Sequence, residues 1–326
     1  MTGENATIAA DVPSAADAPR APGVPFYDTL FRQKRKGDKW KVVDAPDPAL
    51  EGPVADTHCH LHMTPDPAFA LARCACNGVP FVGVVTDPPE DGTVVFDQLE
   101  AWKRRAAEHL AALGSTAAVP ACRITVGCHP HNAKLFDTAA ERQLEALLED
   151  PRVSALGEIG LDYHYDFSPR EQQRAVFRRQ IQMAKQAGLP VSLHIREAHD
   201  EALAILEDEG WPQAGTLLHC CTLGPHDILP WIQAGCYIAF GGALTFNNGE
   251  AVREAAALVP QIRLLTETDT PYMAPVPLRG SKCLPDFVVF TAQRLAEVRC
   301  CEPGPARAAL LEACIDNARR LLDAPR

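Results

Sequence analysis

Two histidines stand two residues apart in the run Asp56-Thr57-His58-Cys59-His60. Alternate side chains of an extended strand share a face, so both imidazoles project together. Such a pair is costly to bury without a shared partner, and a divalent metal is a partner that suits neutral ring nitrogens. Further along the chain come Glu158, in Gly157-Glu158-Ile159-Gly160, then His194 and His219, and Asp269 in Glu267-Thr268-Asp269. Four histidines and two carboxylates around one point suit two divalent ions better than one, because a single four-coordinate zinc would leave ligands unused. Two metals bridged by a carboxylate polarise a phosphoryl or carbonyl oxygen and make hydroxide available at neutral pH. Glu158 is the expected bridge. Asp269 can both hold a metal and accept the proton that the attacking water loses.

These donors are useful only if the fold brings them together. From residue 54 onward, short β-rich apolar segments alternate with longer amphipathic ones, the pattern of repeated βα units around a parallel sheet. Eight strands are expected, over residues 54–60, 81–86, 124–128, 153–159, 190–195, 216–219, 237–241 and 262–268. Helices are expected between them, over 96–113, 139–148, 169–187, 197–209, 226–234 and 250–259. For the third helix, Ser168-Pro169-Arg170-Glu171 reads as an N-cap serine, proline at the first helical position and a capping-box glutamate, and Gly188 as its stop. Eight such units fit a closed α/β barrel, the (β/α)8 TIM barrel, better than an open doubly wound sheet, which remains the alternative. In a barrel the carboxyl ends of the strands converge on one face, and five of the eight expected strands end in His, Glu or Asp.

Composition narrows the function classes. At 326 residues, 47% hydrophobic and 22% charged, the chain is a folded globular protein and neither a disordered chain nor a rod. Lys and Arg total 31 against 42 Asp and Glu, a net charge of −11, so a polyanion must be held by metals or a local basic patch. No apolar run approaches the roughly 18 residues of a membrane span, and the start of the chain lacks a basic segment followed by an apolar one. The expectation is a cytoplasmic protein with no membrane association and no obligate protein partner. Twelve cysteines without CxxC or zinc-finger spacing read as reduced, buried, small apolar residues. Residues 1–24 read as a flexible tail and 25–53 as a basic extension, in which Arg32-Gln33-Lys34-Arg35-Lys36, Lys39 and Lys41 suit a solvated surface segment better than a nucleic-acid contact. Residues 54–326 form the single catalytic barrel.

Taken in order, six motifs resemble one family. They are Asp56-Thr57-His58-Cys59-His60, Gly127-Cys128-His129-Pro130-His131, Gly157-Glu158-Ile159-Gly160-Leu161-Asp162-Tyr163-His164, His194-Ile195-Arg196, His219-Cys220, and Glu267-Thr268-Asp269-Thr270-Pro271-Tyr272. The set resembles the TatD family of metal-dependent deoxyribonucleases, in the amidohydrolase-like superfamily of TIM barrels. The resemblance implies that His58, His60 and Asp269 hold one metal, that His194 and His219 hold the second, and that Glu158 bridges them. It also implies substrate contacts from His129, His131 and Arg196, two divalent ions (Mg, Mn or Zn), and hydrolysis of phosphodiester bonds in DNA, often from 3′ to 5′. Two stretches depart from the family's usual pattern, Lys282-Cys283-Leu284-Pro285 and Cys221-Thr222-Leu223-Gly224. The same chemistry serves an amide or ester hydrolase acting on a small molecule or aminoacyl-tRNA. A non-catalytic module that binds nucleic acid or protein and keeps its metals for structure is a third possibility.

Overall fold

The computed structural model describes residues 31–36, 39–44 and 47–323. The expected tail over 1–24 lies outside them. Within the basic extension, β1 (Phe31–Lys36) and β2 (Lys39–Asp44) pair antiparallel with Lys36 opposite Lys39. The sequence reading named no strand here. The ribbon's many charges obscure the apolar alternation by which strands are recognised, while the two residues between the strands are the spacing of a tight hairpin.

The barrel is built from β3 (Ala55–Cys59), β4 (Phe81–Thr86), β5 (Ala121–Val126), β6 (Val153–Asp162), β7 (Val191–Arg196), β8 (Thr216–Leu218), β9 (Tyr237–Phe240) and β10 (Leu264–Thr266). Each of the eight expected strands overlaps one of these. All neighbours are parallel, and their order in the sheet follows the chain from β3 to β10. An open doubly wound sheet would reverse its strand order midway; this one does not.

The first and last strands meet along a seam. Asp269 N donates to His58 O at 3.0 Å and His60 N to Thr270 O at 2.9 Å. Thr57 Oγ1 donates to Thr266 O at 3.0 Å and Thr266 Oγ1 to Ala55 O at 2.7 Å. Asp56, wholly buried, accepts from Thr268 N at 2.9 Å and Thr268 Oγ1 at 2.6 Å. These bonds set the height at which the histidines of β3 face the residues following β10.

The helices are α1 (Pro67–Cys76), α2 (Pro88–Asp91), α3 (Val94–Ala112), α4 (Thr138–Leu148), α5 (Arg170–Ala187), α6 (His199–Glu209), α7 (Leu229–Gln233), α8 (Glu250–Leu258), α9 (Val288–Val298) and α10 (Pro305–Leu322). α1 escaped the periodicity reading because it is buried nearly all round and so lacks a polar face, and α9 went unread although it carries a polar edge at Gln293, Arg294 and Glu297. α10 has a regular apolar stripe; its Ile315, Ala318, Leu321 and Leu322 pack with Ala55, Phe81, Ala155, Leu217, Tyr237 and Leu265 from the starts of the strands. This apolar plug fills the amino end of the barrel and leaves the carboxyl end for polar groups.

One expected cap is corrected. α5 begins at Arg170 with Pro169 in the cap position and no side-chain cap. Ser168 Oγ instead donates to His131 O at 2.6 Å and accepts from Lys134 N at 3.0 Å, so its hydroxyl is committed to the turn after β5. Gly188 ends the helix as expected, at φ 65° in the left-handed region.

The seam is testable. Thr268→Val keeps the shape but removes the hydroxyl that Asp56 accepts from, and the loss of a buried hydrogen bond of this kind costs about 1–3 kcal/mol. A lowered melting temperature is expected; an unchanged one would show that the seam does not depend on that hydroxyl.

Candidate metal centre

Glu158 sits in the middle of β6, buried, with imidazoles converging on it from several strands. His219 Nε2 is 2.9 Å from its Oε1, His194 Nδ1 2.7 Å and His129 Nε2 3.5 Å. On the other oxygen, His58 Nε2 lies 3.4 Å and His60 Nε2 3.7 Å from Oε2. The donors therefore form two triads that share one carboxylate, His58–His60–Glu158 and Glu158–His194–His219, in each of which the donor atoms lie within 4.8 Å of one another. Asp269 follows β10 at the rim, with Oδ1 3.8 Å from His60 Nε2.

Several donor atoms are buried without a hydrogen bond. Neither ring nitrogen of His58 has a hydrogen bond, nor do His219 Nδ1 and Glu267 Oε2. The rings of His58 and His219 stack at 3.7 Å. Buried polar atoms normally find partners, and a set of orphaned nitrogens beside carboxylates is the donor chemistry of divalent transition metals. The residues fit two such ions.

The electrostatics agree with that fit. Burial, reinforced by His58, pushes His60 down to about 3, and burial with His194 pushes His129 down to about 4, so both rings are neutral at pH 7. Burial opposes the charge on Glu158, yet the neighbouring His219, His129 and His58 hold its carboxyl well below the usual range. For His194, burial is outweighed by hydrogen bonds to Asp162 and Glu158, and for His219 by the charges of Glu158 and Glu267, so both are raised. Burial pushes Asp269 up to about 6, with Glu158 and Glu267 adding to it against the pull of His219 and His58.

Two carboxylates to which the sequence reading gave no role support these rings. Asp162, wholly buried at the end of β6, stands 2.9 Å from His131 Nε2 and 3.0 Å from His194 Nε2, and accepts from His164 N and Tyr165 N. Glu267 stands 3.3 Å from His219 Nδ1 and accepts from Cys220 N. The signal for Asp162 was its even spacing from Glu158 on one strand. Gly160, between them, is where a Cβ would meet His194 O at 2.0 Å, so β6 and β7 approach closely at the site.

His129 and His131 are brought to the cluster with ring centroids 4.3 Å apart, and with His194 they form a further donor triad. Arg196 lies at the exposed end of β7, its guanidinium 4.8 Å from the Tyr165 ring centroid. All twelve cysteines are free thiols and most are buried. Among the described residues no helix is long and apolar enough to cross a membrane.

Residues 55–323 match the profile of the family described as TatD related DNase. The uncharacterized metal-dependent hydrolase YcfH of Escherichia coli K12 is 39% identical over 202 residues, 61% of this chain and 74% of that protein. The 3′-5′ ssDNA/RNA exonuclease TatD of Erwinia billingiae is 35% identical over 209 residues, 63% of this chain and 78% of its own length. Among solved structures, the TatD homolog YJJV of Escherichia coli superposes with a TM-score of 0.71 at 27% identity, covering 83% of this chain and 98% of that one.

Because Glu158 belongs to both triads and His194 to one of them, Glu158→Gln is expected to weaken the binding of both ions and His194→Ala mainly that of one. Calorimetric titration with Mn or Zn separates the cases, and loss of a single ion in both variants would argue against a shared carboxylate.

Asp87, next to the centre, makes a pH prediction. Burial, with Asp91 and Glu90 nearby, pushes its carboxyl up to about 7 despite hydrogen bonds from Asn132 and His129. A raised folded value means that its contribution favours folding fully below the unfolded value of 3.8 and is lost as pH rises through about 7. Asp87→Asn does not titrate, so its melting temperature relative to the native protein should rise between about pH 4 and pH 8. A constant difference across that range would contradict the assignment.

Proposed function

The chain belongs to the TatD related DNase family and is a metal-dependent hydrolase, and from that premise we propose that it cleaves phosphodiester bonds in DNA, working inward from a 3′ end. The observation that carries the reading is the pair of donor triads sharing Glu158 at the open end of the barrel. Divalent ions held there would acidify a coordinated water and polarise the phosphoryl oxygen under attack. The chain's own residues do the rest. His58, His60 and Asp269 are assigned to one ion, His194 and His219 to the other, and Glu158 spans both.

Asp269 is the proposed proton acceptor. It stands at the rim beside His60, where a carboxylate can take the proton that the nucleophile loses. His129 and His131 line the cleft next to Glu158 and Asp162 and are assigned to the scissile phosphate, with Arg196 further out. His129 is neutral by burial, and its Nδ1 accepts from His131 N at 3.2 Å, which leaves Nε2–H as its donor. Lys134, whose Nζ donates to Phe167 O at 2.9 Å, lies on the same side of the mouth and supplies local positive charge that an acidic protein needs to hold a polyanion. A cytoplasmic setting is part of the proposal and suits a chain of twelve free thiols.

End-labelled DNA incubated with Mg, Mn or Zn tests the reading directly. Shortening from the 3′ end, abolished by chelation, is expected, and activity should fall steeply between about 50 and 200 mM salt if several phosphates are contacted. No cleavage of DNA under any metal, together with hydrolysis of an uncharged ester or amide, would replace the proposal with the small-molecule reading.

Asp269→Asn should leave the melting temperature nearly unchanged and lower turnover by about 10²–10⁴-fold, the range for a lost general base. Loss of stability with full turnover per folded molecule would make Asp269 a brace for the loop before Tyr272 instead.

A further inference from the structure

Among the described residues, the exposed aromatic rings are Tyr165, Phe167 and Tyr272, and all three lie in loops that follow strands whose carboxylates serve the metal centre. Tyr165 is 48% and Phe167 56% exposed. Their rings stack on each other, 5.2 Å apart and 15° from parallel, and the Arg196 guanidinium lies 4.8 Å from the Tyr165 centroid. Leaving two large rings in water has no value for the core, and a cation beside an aromatic stack is the pairing that nucleobases use.

The stack is fixed in place. Asp162 Oδ1 accepts from His164 N at 3.0 Å and Tyr165 N at 2.9 Å, Lys134 Nζ donates to Phe167 O at 2.9 Å, and Ser168 ties the end of the loop to His131. It is also close to the reaction. The Phe167 ring centroid is 4.7 Å from that of His131, which is 6.0 Å from that of His194. Asp162 thus holds the loop with one carboxylate oxygen and His131 and His194 with the other.

We propose that Tyr165 and Phe167 form a stacking platform for a nucleobase beside the scissile phosphate. The inference rests on the DNA reading above and adds the part of the substrate that is recognised. Every base has a face that can stack, so the platform tolerates any sequence, with no hydrogen-bond readout of base edges.

The test compares a single-stranded oligonucleotide with the same strand made abasic at its 3′ terminal nucleotides, measuring binding by fluorescence anisotropy in chelator and then cleavage with metal restored. The native protein should bind the intact strand more tightly than the abasic one. Tyr165→Ala/Phe167→Ala should weaken binding of the intact strand by roughly 5- to 100-fold, the loss that stacking predicts, and leave the abasic strand unchanged. Phe167→Trp, which keeps a ring face, should retain tight binding, while Phe167→Leu, which keeps only bulk, should not. Circular dichroism melts of each variant exclude unfolding as the cause. Equal binding of intact and abasic strands by the native protein, or tight binding by Phe167→Leu, would overturn the platform while leaving DNA cleavage standing. A native protein that neither binds nor cleaves any strand would remove the DNA reading, and the platform with it.

Discussion

One buried carboxylate organises the open end of this barrel. Removing an anion from water costs several kcal/mol unless the surroundings replace its solvent, and Glu158 has that replacement from His58, His60, His129, His194 and His219. The rings arrive from β3, β7, β8 and the turn after β5, so satisfying Glu158 requires those segments to end at the same height. The arrangement leaves a debt among the imidazoles, because both nitrogens of His58 stay buried without a hydrogen bond. A cluster in this state is poorly suited to stability alone and well suited to accepting cations.

Asp162 extends the same strand's influence outward. One of its oxygens faces His131 and His194, the other accepts two backbone amides of the loop before α5, and its backbone N donates to Gln173 within that helix. Gln173 also donates to Ser168 O, so strand, loop and helix are bonded as one unit. The seam between β3 and β10 does the corresponding work on the other side, where Asp56 and Thr268 hold the residues that carry His58 and Asp269. The metal donors therefore sit on rigid supports on both flanks.

The positions at which this chain departs from its family's usual motifs have structural roles here. Cys283 is wholly buried and its N–H donates to Pro271 O, supporting the turn that presents Tyr272 at the rim. Cys221 is buried with its N–H on Ala239 O, continuing the pairing of β8 with β9 past the strand end. Apolar thiols at these two places pack in the core.

The sequence by itself determined the number and order of the barrel strands, the shared face of His58 and His60, and the stop at Gly188, since each depends on periodicity or on the conformational freedom of a single residue. It also placed Glu158 with the other donors expected at the strand ends, whereas β6 in fact runs on to Asp162. Tertiary structure alone decided which rings reach which oxygen of Glu158, that Asp162 and Glu267 brace His194 and His219, and that Ser168 serves the turn at His131 in place of a helix cap. Those outcomes depend on segments tens of residues apart meeting when the barrel closes, and on competition among partners for a hydroxyl or carboxylate. Neither leaves a local period in the chain. The basic hairpin and the largely buried α1 were hidden for the related reason that one surrounds its alternation with charge and the other has no polar face to alternate with.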